Sequence, residues 1–103
     1  MKTIEDIRTE YRQRCEFLTA SARISNASRG LQEKVKYNLA TVEKVEAVIA
    51  SLPEEEKEVV KRYFNREYRW AEKAAVDMGM SKTTVYRLLE RAEERAVRLY
   101  NRL

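Results

Sequence analysis

The stretch "RWAEKAAVDMGMSKTTVYRLL", residues 69–89, decides how this chain is read. It places a small-residue helical segment before Gly79, a Ser-Lys-Thr-Thr cluster after it, and an apolar and basic helical run beyond. A helix-turn-helix needs a small residue where two helices touch, a turn residue that tolerates positive φ, and apolar residues at fixed offsets that lock the angle. Ala75 is the expected small contact, Gly79 follows four positions later, and Val85 lies six beyond Gly79. Ala74, Met78, Met80 and Leu88 take the accompanying buried positions. Ser81 then caps the final helix, its hydroxyl accepting from an otherwise unpaired N–H of the first turn.

On this pattern Ser81, Lys82, Thr83, Thr84, Tyr86 and Arg87 point outward, and Val85, Leu88 and Leu89 point inward. Arg87 suits a bidentate contact to a guanine edge. Thr83, Thr84 and Tyr86 offer hydroxyls or apolar contact to bases, and Lys82 suits a phosphate. Arg91 prolongs this DNA-binding face. With Arg87, Arg95, Arg98 and Arg102 it forms a basic stripe opposite Val85, Leu88, Leu89, Ala92, Ala96, Leu99, Tyr100 and Leu103. Beyond Arg91 a solvated face is an equal alternative, because Glu94 can pair with Arg98 and Glu90 with Arg87. Arg62, Arg66, Arg69 and Lys73 are secondary phosphate-contact candidates, and exposed surface charge explains them as well. Trp70 reads as a core anchor before a stacking platform.

Upstream, "SLPEEEKEVVKRYF" restarts a helix. Pro53 suits the first helical position, where its missing N–H costs nothing, and Glu54, Glu55 and Glu56 complement the positive end of the helix dipole. Val59, Val60, Tyr63 and Phe64 share a face, and "NREY" is a short connection to the helix-turn-helix. Earlier still, Ile4, Ile7, Tyr11, Cys15, Leu18 and Ala22 form one helical stripe. "TASARISNASRG" dilutes it and ends in Gly30, expected to close a helix in the left-handed conformation or to mark a bend. A second series, Leu31, Val35, Leu39, Val42, Val45, Ile49 and Leu52, steps at the spacing of a coiled-coil seam. It suits either a helical hairpin or a dimer seam.

Composition sets the outer limits. The 103 residues suit one small domain, or a small domain with a helical appendage, and a modest core. Two glycines and one proline among many Ala, Glu, Lys, Arg and Leu favour helix throughout, so the expected fold is all-α. The net charge of +4 is compatible with nucleic acid as a partner. Cys15 is the single cysteine and reads as a small apolar filler. A single cysteine allows no internal disulfide, and with no histidine present there is no His-bearing zinc site. Without histidine, a Gly-rich phosphate loop or a carboxylate pair on an apolar wall, an enzyme is not expected, nor is a cofactor or metal. No apolar run approaches the roughly 20 residues of a bilayer span, and "MKTIEDIRTEYRQRC" is too charged for a signal peptide. A soluble, cytoplasmic protein is expected.

Residues 52–96, "LPEEEKEVVKRYFNREYRWAEKAAVDMGMSKTTVYRLLERAEERA", resemble region four of sigma-seventy-type transcription initiation factors. The shared features are a Leu-Pro-Glu opening, a hydrophobic helix, a short link, an Ala-rich first helix, Gly-x-Ser and a Thr-Val-x-Arg recognition helix. The N-terminal helical extension, with "YRQRCEFLTASARISNASRG", is similar to phage- and prophage-encoded late-gene regulators of the ArpU and RinA type. The resemblance implies promoter DNA binding, and with it contact with RNA polymerase in a bacterial host cell. It places groove reading on Lys82, Thr83, Thr84, Tyr86 and Arg87. The chain departs from the pattern in two ways. It has no segment like the one that melts the −10 element, and "AEKAAVDM" stands where the family usually carries a Glu-Ile-Ala core.

The combined expectation is a helical scaffold and dimerisation region at 1–51, followed at 52–103 by a sigma region four-like DNA-binding domain. Its function would be sequence-specific transcription regulation, as a homodimer on double-stranded DNA. The alternatives are an RNA polymerase- or sigma-interacting module, or a DNA-packaging recognition subunit akin to a small terminase.

Overall fold

Ile4–Ser21 forms a first helix, α1, because Thr3 and Asp6 close its start reciprocally. Thr3 Oγ1 accepts from the Asp6 N–H at 3.1 Å, and the Asp6 carboxylate accepts from the Thr3 N–H at 2.9 Å. The computed structural model describes residues 2–24, 26 and 28–103; the helices, in chain order, are α1, α2 (Arg29–Ala50), α3 (Glu54–Phe64), α4 (Trp70–Met78) and α5 (Lys82–Arg102). The protein is all-α, as its composition predicts, with no strand among the described residues. None of these helices is long and apolar enough to cross a membrane.

The chain divides into two compact units, Met1–Ala47 and Val48–Leu103. The division falls in the last turn of α2, slightly before the expected 51/52 boundary.

In the first unit, α1 runs antiparallel beside α2. The Tyr11 hydroxyl lies 3.2 Å from Glu46 Oε1, and Arg14 donates to Asn38 Oδ1 at 3.0 Å while its guanidinium sits 5.2 Å over the Tyr37 ring. Burial, with Cys15 and Glu46 close by, pushes the Tyr11 phenol up to about 12. The α1 stripe is graded: Ile4 and Ile7 are buried, Tyr11, Cys15 and Leu18 are half-buried, and Ala22 is exposed.

Two expectations for this unit are corrected. Gly30 does not close a helix. It lies in the first turn of α2, which begins where Ser28 Oγ accepts from the Leu31 N–H at 3.2 Å, so the serine cap starts the helix before the glycine is reached. Leu39 is also off the seam, at 44 % exposure. Within this unit Asn38, Thr41, Val42 and Val45 are the buried residues of α2. Asn38 can occupy a buried position because its amide is satisfied twice, by Arg14 and by donation to the Lys34 carbonyl at 2.6 Å.

In the second unit, α3 packs on α4 and α5, and α4 packs on α5. Pro53 sits one place earlier than expected, as the residue that caps α3. Its ψ of 150° keeps it outside the helix, while its carbonyl accepts the first helical bond from Lys57 at 2.8 Å. Glu54, Glu55 and Glu56 fill the first turn and Lys61 and Arg62 the last, both favourable to the helix dipole. Leu103, expected on the inner stripe of α5, is exposed past the helix end, and Val97 is buried instead alongside Ala92, Ala96 and Tyr100.

Gly79 ends α4 with φ 65°. The Met80 N–H reaches back to the Ala75 carbonyl at 2.9 Å and the Gly79 N–H to the Val76 carbonyl at 3.3 Å, the paired closure that requires a left-handed residue between them. A Cβ at Gly79 would meet nothing within 4 Å, so the penalty for one is purely conformational. Gly79→Ala is therefore expected to cost about 1 kcal/mol. A chemical denaturation midpoint measures it, and an unchanged midpoint would contradict the assignment.

Candidate nucleic-acid interface

The residues of the opening stretch converge on one core. Val59 of α3, Ala71 and Ala74 of α4, and Val85 and Leu88 of α5 are buried together, with Trp70, Ala75, Met78, Met80 and Leu89 packed against them. Roles differ in one respect from the sequence reading. Ala74, at 0 % exposure, is the fully enclosed small residue of α4, whereas Ala75, expected to be that contact, is only half-buried. The three residues 79–81 join α4 to α5, and Ser81 supplies the expected cap, with the Thr84 N–H donating to its hydroxyl oxygen at 3.1 Å.

That cap changes what the first turn of α5 can present. Thr84 is half-buried, and its hydroxyl lies 2.9 Å from Ser81 Oγ, so these two side chains engage each other. Lys82, Thr83, Tyr86, Arg87 and Arg91 are exposed. Arg87 and Arg91 have no ion-pair partner among the described residues, although Glu90 lies beside them on the same helix. The pairs Glu90–Arg87 and Glu94–Arg98, which would have neutralised the stripe, do not form. Arg95 instead meets Glu56, with Nε 3.1 Å from Oε1.

A row of aromatic rings supports the face. Tyr63 and Trp70 meet edge to face at 5.5 Å between centroids, and Trp70 meets Tyr86 in the same way at 6.0 Å. Trp70 is thus a packing residue that orients Tyr86 on α5. The row was not legible in the sequence, because its three members come from three different helices.

The secondary basic candidates are mostly occupied. Arg62 donates to Asp77 at 2.8 Å and to Glu58 at 2.9 Å, linking α3 to α4. The Asp77 hydrogen bond is the main reason its pKa is raised, so it is a structural tie. Arg66 stacks over the Tyr63 ring at 4.4 Å. Lys73 lies 3.9 Å from Glu67, a loose pair that a phosphate can displace. Arg69 holds a φ of 61° immediately before α4, a left-handed position uncommon for a side chain of this size, and pairs with Glu72 at 2.5 Å.

Glu72 is the residue that the sequence reading missed. Its second oxygen lies 3.6 Å from Lys82 Nζ, so one carboxylate bridges two basic candidates across the turn. The Arg69 hydrogen bond is the main cause that holds Glu72 below the ordinary carboxylate range. Arg69 and Glu72 are three apart in sequence, across the start of α4, and could have been paired from spacing. Lys82 is brought to them only by the turn at Gly79.

Chemically, the arrangement offers hydrogen-bond donors, hydroxyls and the unpaired positive charge of Arg87 and Arg91 on the exposed face of α5. Among the described residues no cluster of His, Cys, Asp and Glu could hold a metal ion. No protein-family model matches the chain, and neither a curated protein nor a solved structure is similar enough to be matched with it.

Proposed function

We propose that the protein is a sequence-specific transcription regulator that binds double-stranded DNA, with α5 as the recognition helix. The observation that carries this reading is the pairing of a locked helix-turn-helix core with an exposed, unneutralised Arg87–Arg91 edge beside Thr83 and Tyr86. Arg87 contacts a guanine edge, Thr83 and Tyr86 meet neighbouring bases, and Arg91 and Lys82 meet phosphates. The resemblance to sigma region four and to ArpU- and RinA-type regulators supports phage or prophage late-gene control in the bacterial cytoplasm. On the same reading the protein acts as a homodimer through its N-terminal helices, contacts RNA polymerase at the promoter, and catalyses no reaction.

The test is a fluorescence-anisotropy titration of labelled duplex DNA at several salt concentrations. The logarithm of the binding constant should fall linearly with the logarithm of salt, by about 0.9 per phosphate neutralised. Binding that is absent at low salt would refute the reading. Glu72 refines the test, because it competes with phosphate for Lys82 and Arg69. Glu72→Gln should therefore tighten binding severalfold at low salt and steepen the salt slope by up to about one unit. Weaker binding by that variant would mean that the bridge organises the interface.

A further inference from the structure

The distal half of α5 carries a second cationic feature, separate from the reading edge. Arg98 and Arg102 line a groove of about 440 Å3 between α5 and the connection from α2 to α3, with Leu99, Leu52 and Pro53 supplying apolar surface. Arg95 also lines it, but its guanidinium is engaged by Glu56, which is 5 % exposed. Arg98 and Arg102 have no ion-pair partner among the described residues. We infer that this groove is a docking site for an extended acidic segment of a partner protein, in which carboxylates alternate with apolar side chains.

Charge, spacing and shape support this occupant. Two residues four apart on a helix lie about 6 Å from each other, and alternate residues of an extended chain are spaced by about 6.6 Å. Carboxylates at every second position can therefore meet Arg98 and Arg102 together. The intervening side chains turn the other way, toward exposed Pro53, behind which Leu52 is buried.

A DNA backbone fits less well. Glu94 lies on the α5 stripe between Arg91 and Arg98, and exposed Glu54 and Glu55 directly follow Pro53. A stiff duplex carrying a charge every ~1.7 Å places phosphates against all of these carboxylates, whereas a flexible segment needs only two carboxylates, at Arg98 and Arg102, and can leave its others turned to solvent. Arg98 also lies about 16 Å along the helix from Arg87, beyond the ~12 Å width of a major groove. The protein can thus hold DNA and a partner at once.

The experiment uses the full chain and a fluorescein-labelled peptide of about a dozen residues that alternates glutamate with leucine. The same peptide with glutamine in place of glutamate is the control. Wild type should bind the acidic peptide, and Arg98→Glu/Arg102→Glu should weaken this at least about tenfold. Arg87→Glu/Arg91→Glu, which changes net charge equally, should leave peptide binding within about threefold. Helical content by circular dichroism checks that each variant is folded, and Arg98→Gln/Arg102→Gln repeats the test without charge reversal.

The inference fails if wild type does not bind the peptide, if the glutamine peptide binds as well, or if both charge-reversed proteins lose it equally. It also fails if Arg98→Glu/Arg102→Glu loses duplex DNA in parallel with the peptide, which would make the groove a phosphate surface. A change in oligomeric state by light scattering on the same substitution would assign the groove to a second copy of the chain and overturn the inference. If wild type binds the peptide as expected but no DNA, the docking site stands and the DNA reading falls.

Discussion

Arg87→Ala is expected to weaken binding to a selected duplex by about 1–3 kcal/mol and to relax base preference at one position. A guanidinium that donates twice to one base edge carries both affinity and discrimination, so its loss leaves phosphate attraction in place and removes selectivity. Arg87 is suited to this because it is exposed, has no carboxylate partner, and projects from the first turns of α5, where Ser81 fixes the helix start. Lys82→Ala should behave differently. Lys82 is already shared with Glu72, so its removal should lower affinity on all sequences alike and by a smaller factor. Competition titrations against the selected site and single-base variants separate the two effects. Equal losses on every sequence for Arg87→Ala would show that it meets a phosphate.

The second large effect concerns stability. Ala74 has no exposed surface and lies in the core shared by α3, α4 and α5, while Ala75 next to it is half-buried. Adding the three carbons of leucine at 74 has no route to solvent and forces neighbouring side chains from their rotamers, at a cost of about 1–3 kcal/mol or more. Ala75→Leu can direct its extra atoms outward and should cost less than about 1 kcal/mol. A small domain shifts its melting temperature by about 4–8 °C per kcal/mol, so thermal unfolding followed by circular dichroism resolves the two variants. Equal destabilisation, or the reverse order, would mean that the helices meet through Ala75, as the spacing alone suggests.

These neighbouring alanines illustrate what the sequence could convey. The helix-turn-helix was legible because its requirements are local: a left-handed turn residue that Gly79 satisfies, a serine cap, and apolar positions at 85 and 88 that follow from helical periodicity. Which of two adjacent alanines faces inward depends on the crossing of α4 with its neighbours, which periodicity does not determine. Gly30 departs from its expected role for a related reason. A glycine after a diluted stripe looks like a helix end, but Ser28 is also a strong helix start, and the cap hydrogen bond prevails. Hydrophobicity places Leu39 on the seam, yet Asn38 is the buried one, its amide satisfied by Arg14 from another helix and by the Lys34 carbonyl. On α5, the outward positions Thr83, Tyr86, Arg87 and Arg91 follow from the helical period. The Ser81–Thr84 contact, the Glu72 bridge and the ring row through Trp70 depend on side chains meeting across the turn or between helices.

The measurement that bears most directly on the DNA-reading account is selection of bound duplexes from a random pool at two salt concentrations. It is run with wild type and with Thr83→Ala/Arg87→Ala. Wild type should recover a defined motif at both salts, and the variant should retain salt-sensitive binding without the motif. Failure of wild type to enrich any motif, with binding that vanishes equally for both proteins as salt rises, would contradict that account.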